Sequence, residues 1–217
     1  MEMICGITLP FQKRERRRKK NMEVNKGSLG KIISSTVNQN RLEPDQIPEL
    51  DLYIDQILML FEDKLGETRR REKDKILTKS MVNNYSKEKM IRPMRGKKYS
   101  REQILQILII CNLKNVLSIG DIKQVMTLLM EEGVRSDGLE EIFEKDTVNQ
   151  LKLKEGISTI VNGLRENYAE EMDIKALVSL LLSLASISSY CKRVSEAMID
   201  SFFVQDEKIK PSSKSAR

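Results

Sequence analysis

An all-α fold is what three features of this sequence predict. Aromatic residues make up only 5% of it and tryptophan is absent, so its core must be built from Leu, Ile, Val and Met. Ten glycines and five prolines in 217 residues are too few for the turns of a β-sandwich. Apolar residues also recur at steps of three and four in segment after segment, the helical period. The length allows one domain, or two small ones, with a substantial core.

The elements follow in order. Residues 28–39 predict a short helix with Leu29, Ile32, Ile33 and Val37 on one side. After a loop holding Pro44 and Pro48, Leu50, Ile54, Ile57, Leu58 and Phe61 mark a second helix that Gly66 closes. Thr78 is placed to N-cap a third, with Met81, Val82 and Tyr85 as its apolar face, and Pro93 forbids its continuation. Met94–Tyr99 reads as a short basic loop or hairpin turning at Gly96. Ser100-Arg101-Glu102-Gln103 is a capping box opening a helix to about Asn112, apolar nearly all round and therefore central. Ser118 caps the next helix and Gly133 ends it. Gly138–Leu164 predicts one or two amphipathic helices broken near Gly156. A long helix follows from Asp173 to about Phe203, with a heptad-like seam. No strand pattern stands out.

Composition removes several chemistries. With no histidine there is no Ser-His-Asp triad and no His-ligated metal. Cys5, Cys111 and Cys191 form no CxxC pair and read as reduced thiols. Neither GxxxxGK[ST] nor GxGxxG occurs. Acidic pairs such as Glu131-Glu132, Glu140-Glu141 and Glu170-Glu171 lie among partner charges and read as solvated faces. The expectation is a non-enzymatic protein with no cofactor and no metal. Met1–Phe11 precedes the basic run, the reverse of a signal peptide. The longest apolar stretch, Ala176–Ile187, falls short of the ~20 residues that span a bilayer. A cytoplasmic protein without membrane contact is expected.

Charge is concentrated in two places. Residues 1–21 carry net +5, and three readings stand: a nucleic-acid arm, a solubilising tail, or a leader read in frame. The last follows from the genetic code, since Arg-Arg can be written AGGAGG, the bacterial ribosome-binding consensus, with Lys19-Lys20-Asn21 as spacer before Met22. The second concentration is Arg69–Arg101, with thirteen basic residues against Glu72, Asp74 and Glu88. A basic segment on an otherwise acidic chain is the electrostatic footprint of phosphate-backbone docking.

Two resemblances bear on that segment. Leu77–Met130 resembles the helix-turn-helix-wing pattern of MerR transcriptional regulators. The matching residues are Thr78–Tyr85, Met90-Ile91-Arg92-Pro93, the basic Arg95/Lys97/Lys98, Tyr99-Ser100, and Ser118-Ile119-Gly120-Asp121-Ile122-Lys123. That pattern has arginine and tyrosine where this chain has Asn83 and Asn84, and glycine where it has Lys89. Three blocks, Leu50–Gln56, Leu77–Tyr85 and Lys97–Glu102, resemble the signatures of the YkrK-like family of domains of unknown function, bacterial proteins described as MerR-like DNA-binding regulators.

The resemblance implies a MerR-like winged helix-turn-helix at 76–130, embedded in a helical bundle with a long C-terminal helix. The expected organisation is a basic disordered tail at 1–27, a DNA-binding domain at 28–132, a dimerisation or effector region at 133–205, and a disordered tail at 206–217. The partner is double-stranded DNA, bound by a homodimer; the effector is unspecified. Lys79, Asn83 and Asn84 are the base-reading candidates, since an asparagine amide matches adenine N6/N7. Tyr85, Lys87, Arg95, Lys97, Lys98 and Arg101 are the phosphate candidates. Leu177, Leu181, Leu184, Cys191 and Met198 are the dimer-seam candidates. The competing function is an all-α adaptor whose basic segment meets an acidic protein.

Overall fold

The computed structural model describes residues 24–94 and 96–203; the basic N-terminal segment, Cys5, Arg95 and the C-terminal tail lie outside the described residues. The described chain is all-α, with 70% helix, 3% strand and seven helices. They are α1 (Lys26–Val37), α2 (Ile54–Leu65), α3 (Lys79–Lys87), α4 (Arg101–Leu113), α5 (Ile119–Glu131), α6 (Ser136–Glu166) and α7 (Ile174–Phe202). Four two-residue strands join them: β1 (Val24–Asn25), β2 (Leu52–Tyr53), β3 (Lys98–Tyr99) and β4 (Glu171–Met172). Two compact units result, residues 24–37 with 155–186, and residues 38–154 with 187–203. This partition does not follow the expected boundary at 132/133.

In the first unit β1 pairs antiparallel with β4, Val24 opposite Met172. Val161, Met172 and Leu180 are buried. Asp173 caps α7, its carboxylate accepting from the Ala176 N–H at 2.8 Å.

The second unit holds the main core, and α4 runs through its middle. Every residue from Gln103 to Cys111 is buried, as expected of a helix apolar on all sides. Each fully buried aliphatic side chain contributes about 1.5–3 kcal/mol. Ile57 and Phe61 of α2, Val82 and Tyr85 of α3, and Ile122 and Met126 of α5 close around it. The capping signals act as read. Thr78 accepts from the Met81 N–H, and Ser118 exchanges hydrogen bonds with Asp121. The Ser100 N–H donates to Gln103 Oε1 at 2.8 Å.

Several elements differ from expectation. The second helix begins at Ile54, not near Leu50, because Leu52–Tyr53 is drawn into a ladder with Lys98–Tyr99. The basic loop therefore does not form a hairpin on itself; it pairs with the entry to α2. Residues 136–166 make one unbroken helix through Gly156, where the cost of glycine, about 1 kcal/mol, is too small to interrupt 31 residues. By length and composition α7 is also long and apolar enough to cross a membrane, the one such helix among the described residues. The length of an uninterrupted apolar run does not reveal this, because serines divide the run without ending the helix.

Candidate nucleic-acid interface

Helix α3 is about 13 Å long at 1.5 Å per residue, and its two sides differ sharply. Val82 and Tyr85 are buried against the core, while Lys79, Ser80, Asn83, Asn84 and Lys87 are exposed. None of those five side chains has an intramolecular hydrogen bond or ion pair among the described residues. Glu88, just past the helix, is held by Lys123 of α5 at 2.9 Å. That hydrogen bond and charge lower the Glu88 pKa, so its carboxylate is formed and matched. The face thus presents two ammonium groups and two amides with no acid facing them unpaired.

Which helix supports α3 is settled by geometry: α2 packs against it. The connection between them, residues 66–78, is far longer than the 3–4-residue turn of a simple helix-turn-helix. It carries Arg69, whose guanidinium pairs with Glu62 at 2.6 Å, and exposed Arg70, Arg71, Lys73 and Lys75.

The segment after α3 is anchored from the core. Two buried glutamines, Gln103 and Gln106, grip the backbone of Arg92: Gln103 Nε2 donates to its carbonyl at 2.9 Å, and Gln106 Oε1 accepts from its N–H at 2.9 Å. The Arg92 side chain pairs with Glu102 and donates to the Val134 carbonyl at 3.0 Å. Sequence reasoning finds Gln103 only as a capping residue and misses Gln106. The one signal is a pair of amides inside an otherwise aliphatic run.

Beyond Arg92, Gly96 turns the chain at φ +82° and exposes Lys97 and Lys98. The Lys98 ammonium lies 5.0 Å from the centre of the Tyr53 ring. Tyr99 is buried, which raises its pKa, and the nearby Ser86 hydroxyl, which donates to the Val82 carbonyl, pulls it partly back. Ser86 stands three residues from Asn83 on α3, so the root of the basic loop abuts the open face.

Two phosphate candidates are corrected. Tyr85 is only 5% exposed; burial, reinforced by the nearby Cys111, pushes its phenol up to about 12, and it belongs to the core. Arg101 has a side chain only 13% exposed, bonded to Glu140 at 2.7 Å, Glu49 at 3.3 Å and the Ile47 carbonyl. Its charge is spent inside the fold. Lys79, Asn83, Asn84, Lys87, Lys97 and Lys98 remain on the surface. Of the seam residues, Leu181, Cys191 and Met198 are exposed, and Leu177 and Leu184 are half-buried. Among the described residues no cluster of three Cys, Asp or Glu side chains is placed to hold a metal ion.

Residues 42–146 match the family model described as Domain of unknown function (DUF1836). The DUF1836 match runs from Leu42 in the main core through the first third of α6, and so takes in α3, its support α2, the basic loop, α4 and α5. No curated protein and no solved structure matches the chain.

Proposed function

We propose that the DUF1836-matching region is a sequence-specific DNA-binding module of MerR-like winged helix-turn-helix type, and that the chain is a cytoplasmic, non-enzymatic transcriptional regulator. The observation that carries this is the unpartnered face of α3. Two amides and two ammonium groups stand exposed on a short helix whose other side is locked in the core. A solvated face that serves only solubility mixes both signs of charge, and this one does not. Helix α3 enters the major groove with Asn83 and Asn84 toward base edges, and Lys87, Lys97 and Lys98 bear on the flanking phosphates. The nearness of buried Tyr99 to Ser86 supports the reading, because it sets the loop lysines beside the helix they would assist.

The module acts as a homodimer through α7. This 29-residue helix leaves Val178, Leu181 and Leu182 exposed, the last two at 63% and 64%. A second copy of the same helix is the occupant proposed for that surface, because paired short modules read two half-sites.

Affinity for a random duplex, followed from ~50 to ~200 mM salt, tests the DNA reading. Each phosphate that the protein no longer neutralises removes about 0.9 from the log–log slope. Lys97→Ala with Lys98→Ala should therefore flatten it by ~1–2 and weaken specific and random DNA alike. A slope left intact refutes the loop assignment. A wild-type protein without duplex affinity at low salt refutes the function and favours an acidic protein partner.

A further inference from the structure

A second feature of the module lies beside that surface. Between the residue 66–78 connection, the end of α4 and residues 40–42 lies a cleft of about 640 Å³. Met81, one of its walls, is about 160° around α3 from Asn83 but only about 60° from Asn84, so the cleft flanks the open face. The volume falls within the ~300–1,000 Å³ typical of small-molecule sites.

The charge of the cleft is one-sided. Arg41, Arg69, Arg70, Lys75 and Lys114 line it against the single carboxylate of Asp74. Asp74 is itself engaged, accepting from the Arg71 N–H at 3.1 Å. Arg41 is held by Asp146, Arg69 by Glu62 and the Gly66 carbonyl, and Lys114 by the Ile76 carbonyl. Asp146, Glu62 and Gly66 lie outside the lining, so these bonds fix the Arg41 and Arg69 side chains from behind. Arg70 and Lys75 have no ion pair among the described residues. The remaining wall is apolar at Leu42, Leu65, Ile76 and Met81, with the amides of Asn112 and Asn115 at the edge.

We propose that this cleft binds a small phosphorylated ligand of nucleoside-monophosphate size. Arg70 and Lys75 take the phosphate, as cations do through charge-assisted hydrogen bonds. The body of the ligand covers Met81 and Ile76, and the two asparagines offer donors and acceptors to its polar edge. A concave site with cations on one part of its wall and apolar side chains on another suits a small molecule, whereas a duplex backbone needs an open ridge of cations. The ligand would touch α3 and the connection that precedes it. Its effect on DNA affinity rests on the DNA-binding reading; the binding itself does not.

Calorimetry on the full chain without DNA, with adenosine and guanosine monophosphates, inorganic phosphate and uncharged adenosine as probes, tests this. At least one nucleotide should bind one per chain, tighter than phosphate, with adenosine silent. Arg70→Ala and Lys75→Ala should each weaken it by about tenfold, and Lys97→Ala should leave it unchanged. The proposal is overturned if neither nucleotide binds at ~10 mM, or if Lys97→Ala weakens it equally. It is also overturned if Arg70→Ala with Lys75→Ala costs duplex affinity and no nucleotide binding, which would make these cations part of a nucleic-acid surface. Nucleotide binding by a protein that ignores DNA would sink the DNA-binding reading alone.

Discussion

Replacing Lys89 with glycine should make the protein more stable and a poorer DNA binder at once. Helix α3 ends in a Schellman motif: the Met90 N–H donates to the Tyr85 carbonyl at 2.9 Å and the Lys89 N–H to the Ser86 carbonyl at 3.1 Å. That geometry forces Lys89 to φ +57°. Helix α5 ends in the same motif, Val134 to Leu129 at 3.0 Å and Gly133 to Met130 at 3.2 Å, with Gly133 at φ +72°. One chain thus holds the same turn twice, once with the favoured residue and once without. A left-handed L-residue costs about 1–2 kcal/mol that glycine does not. Glycine gives back ~0.4–1 kcal/mol through the freer unfolded chain. The net gain is about 0.5–1 kcal/mol, or roughly 1–4 °C in Tm for a chain of this length. Lys89 is also exposed just past α3, beside Lys87, so removing its charge should lower the salt slope on random duplex by about 0.9. Urea unfolding and a salt titration read the two effects. Lys89→Ala separates them, because it loses the charge and keeps the strain. If Lys89→Gly is no more stable than Lys89→Ala, the strain argument fails. If its salt slope matches wild type, Lys89 meets no phosphate.

Three further outcomes are expected. Asn83→Ala or Asn84→Ala should relax sequence preference at a cost of ~1–3 kcal/mol on the preferred site, read by footprinting; an unchanged footprint and affinity for both would remove α3 from the major groove. Leu181→Glu should give a folded monomer with much weaker DNA binding by ultracentrifugation; a wild type that is already monomeric at micromolar concentration, or that partitions into lipid vesicles, rules out the α7 dimer. Alkali should destabilise the fold. Burial raises the Cys111 thiol from 9.0 to about 11 and the Tyr85 phenol from 10.0 to about 12. Both groups fold protonated, so their contribution is full below the unfolded values and is lost as pH rises through the folded ones. Stability should fall from pH 9 upward in wild type and less steeply in Cys111→Ala, and equal slopes would contradict it.

Local chemistry is legible in the sequence wherever one short stretch decides the outcome. Thr78, Ser100 and Ser118 cap because the groups they satisfy lie three residues away, and Gly133 stops α5 through its own backbone. The burial of α4 is legible because it is apolar in every direction. What depends on distant residues is not. The β2–β3 ladder is two residues long, too short to leave an alternating pattern. Arg101 looks like any surface cation, since Glu49 and Glu140 reach it from far along the chain. The resemblance assigns Tyr85 to phosphate, although its place beside Val82 on the apolar stripe of α3 already argues for the core.

The candidate interface is positioned by residues that never meet solvent. Past the end of α3 at Lys87, the N–H and carbonyl of Arg92 have no helical partner, and burying them unpaired would cost about 1–3 kcal/mol each. The amides of Gln103 and Gln106 meet that need, and in return Arg92 satisfies two polar side chains that an aliphatic core could not otherwise tolerate. Each group is acceptable only because the other is present. The direction of the basic loop is inherited from α4 at Arg92 and from the ladder of Lys98–Tyr99 with Leu52–Tyr53. Gln103 and Gln106, wholly inside the core, therefore share with that ladder in setting where Lys97 and Lys98 stand. Loss of the Gln106 amide acts on the loop before it acts on the core, because an apolar side chain of similar volume still fills the space but leaves the Arg92 N–H without a partner.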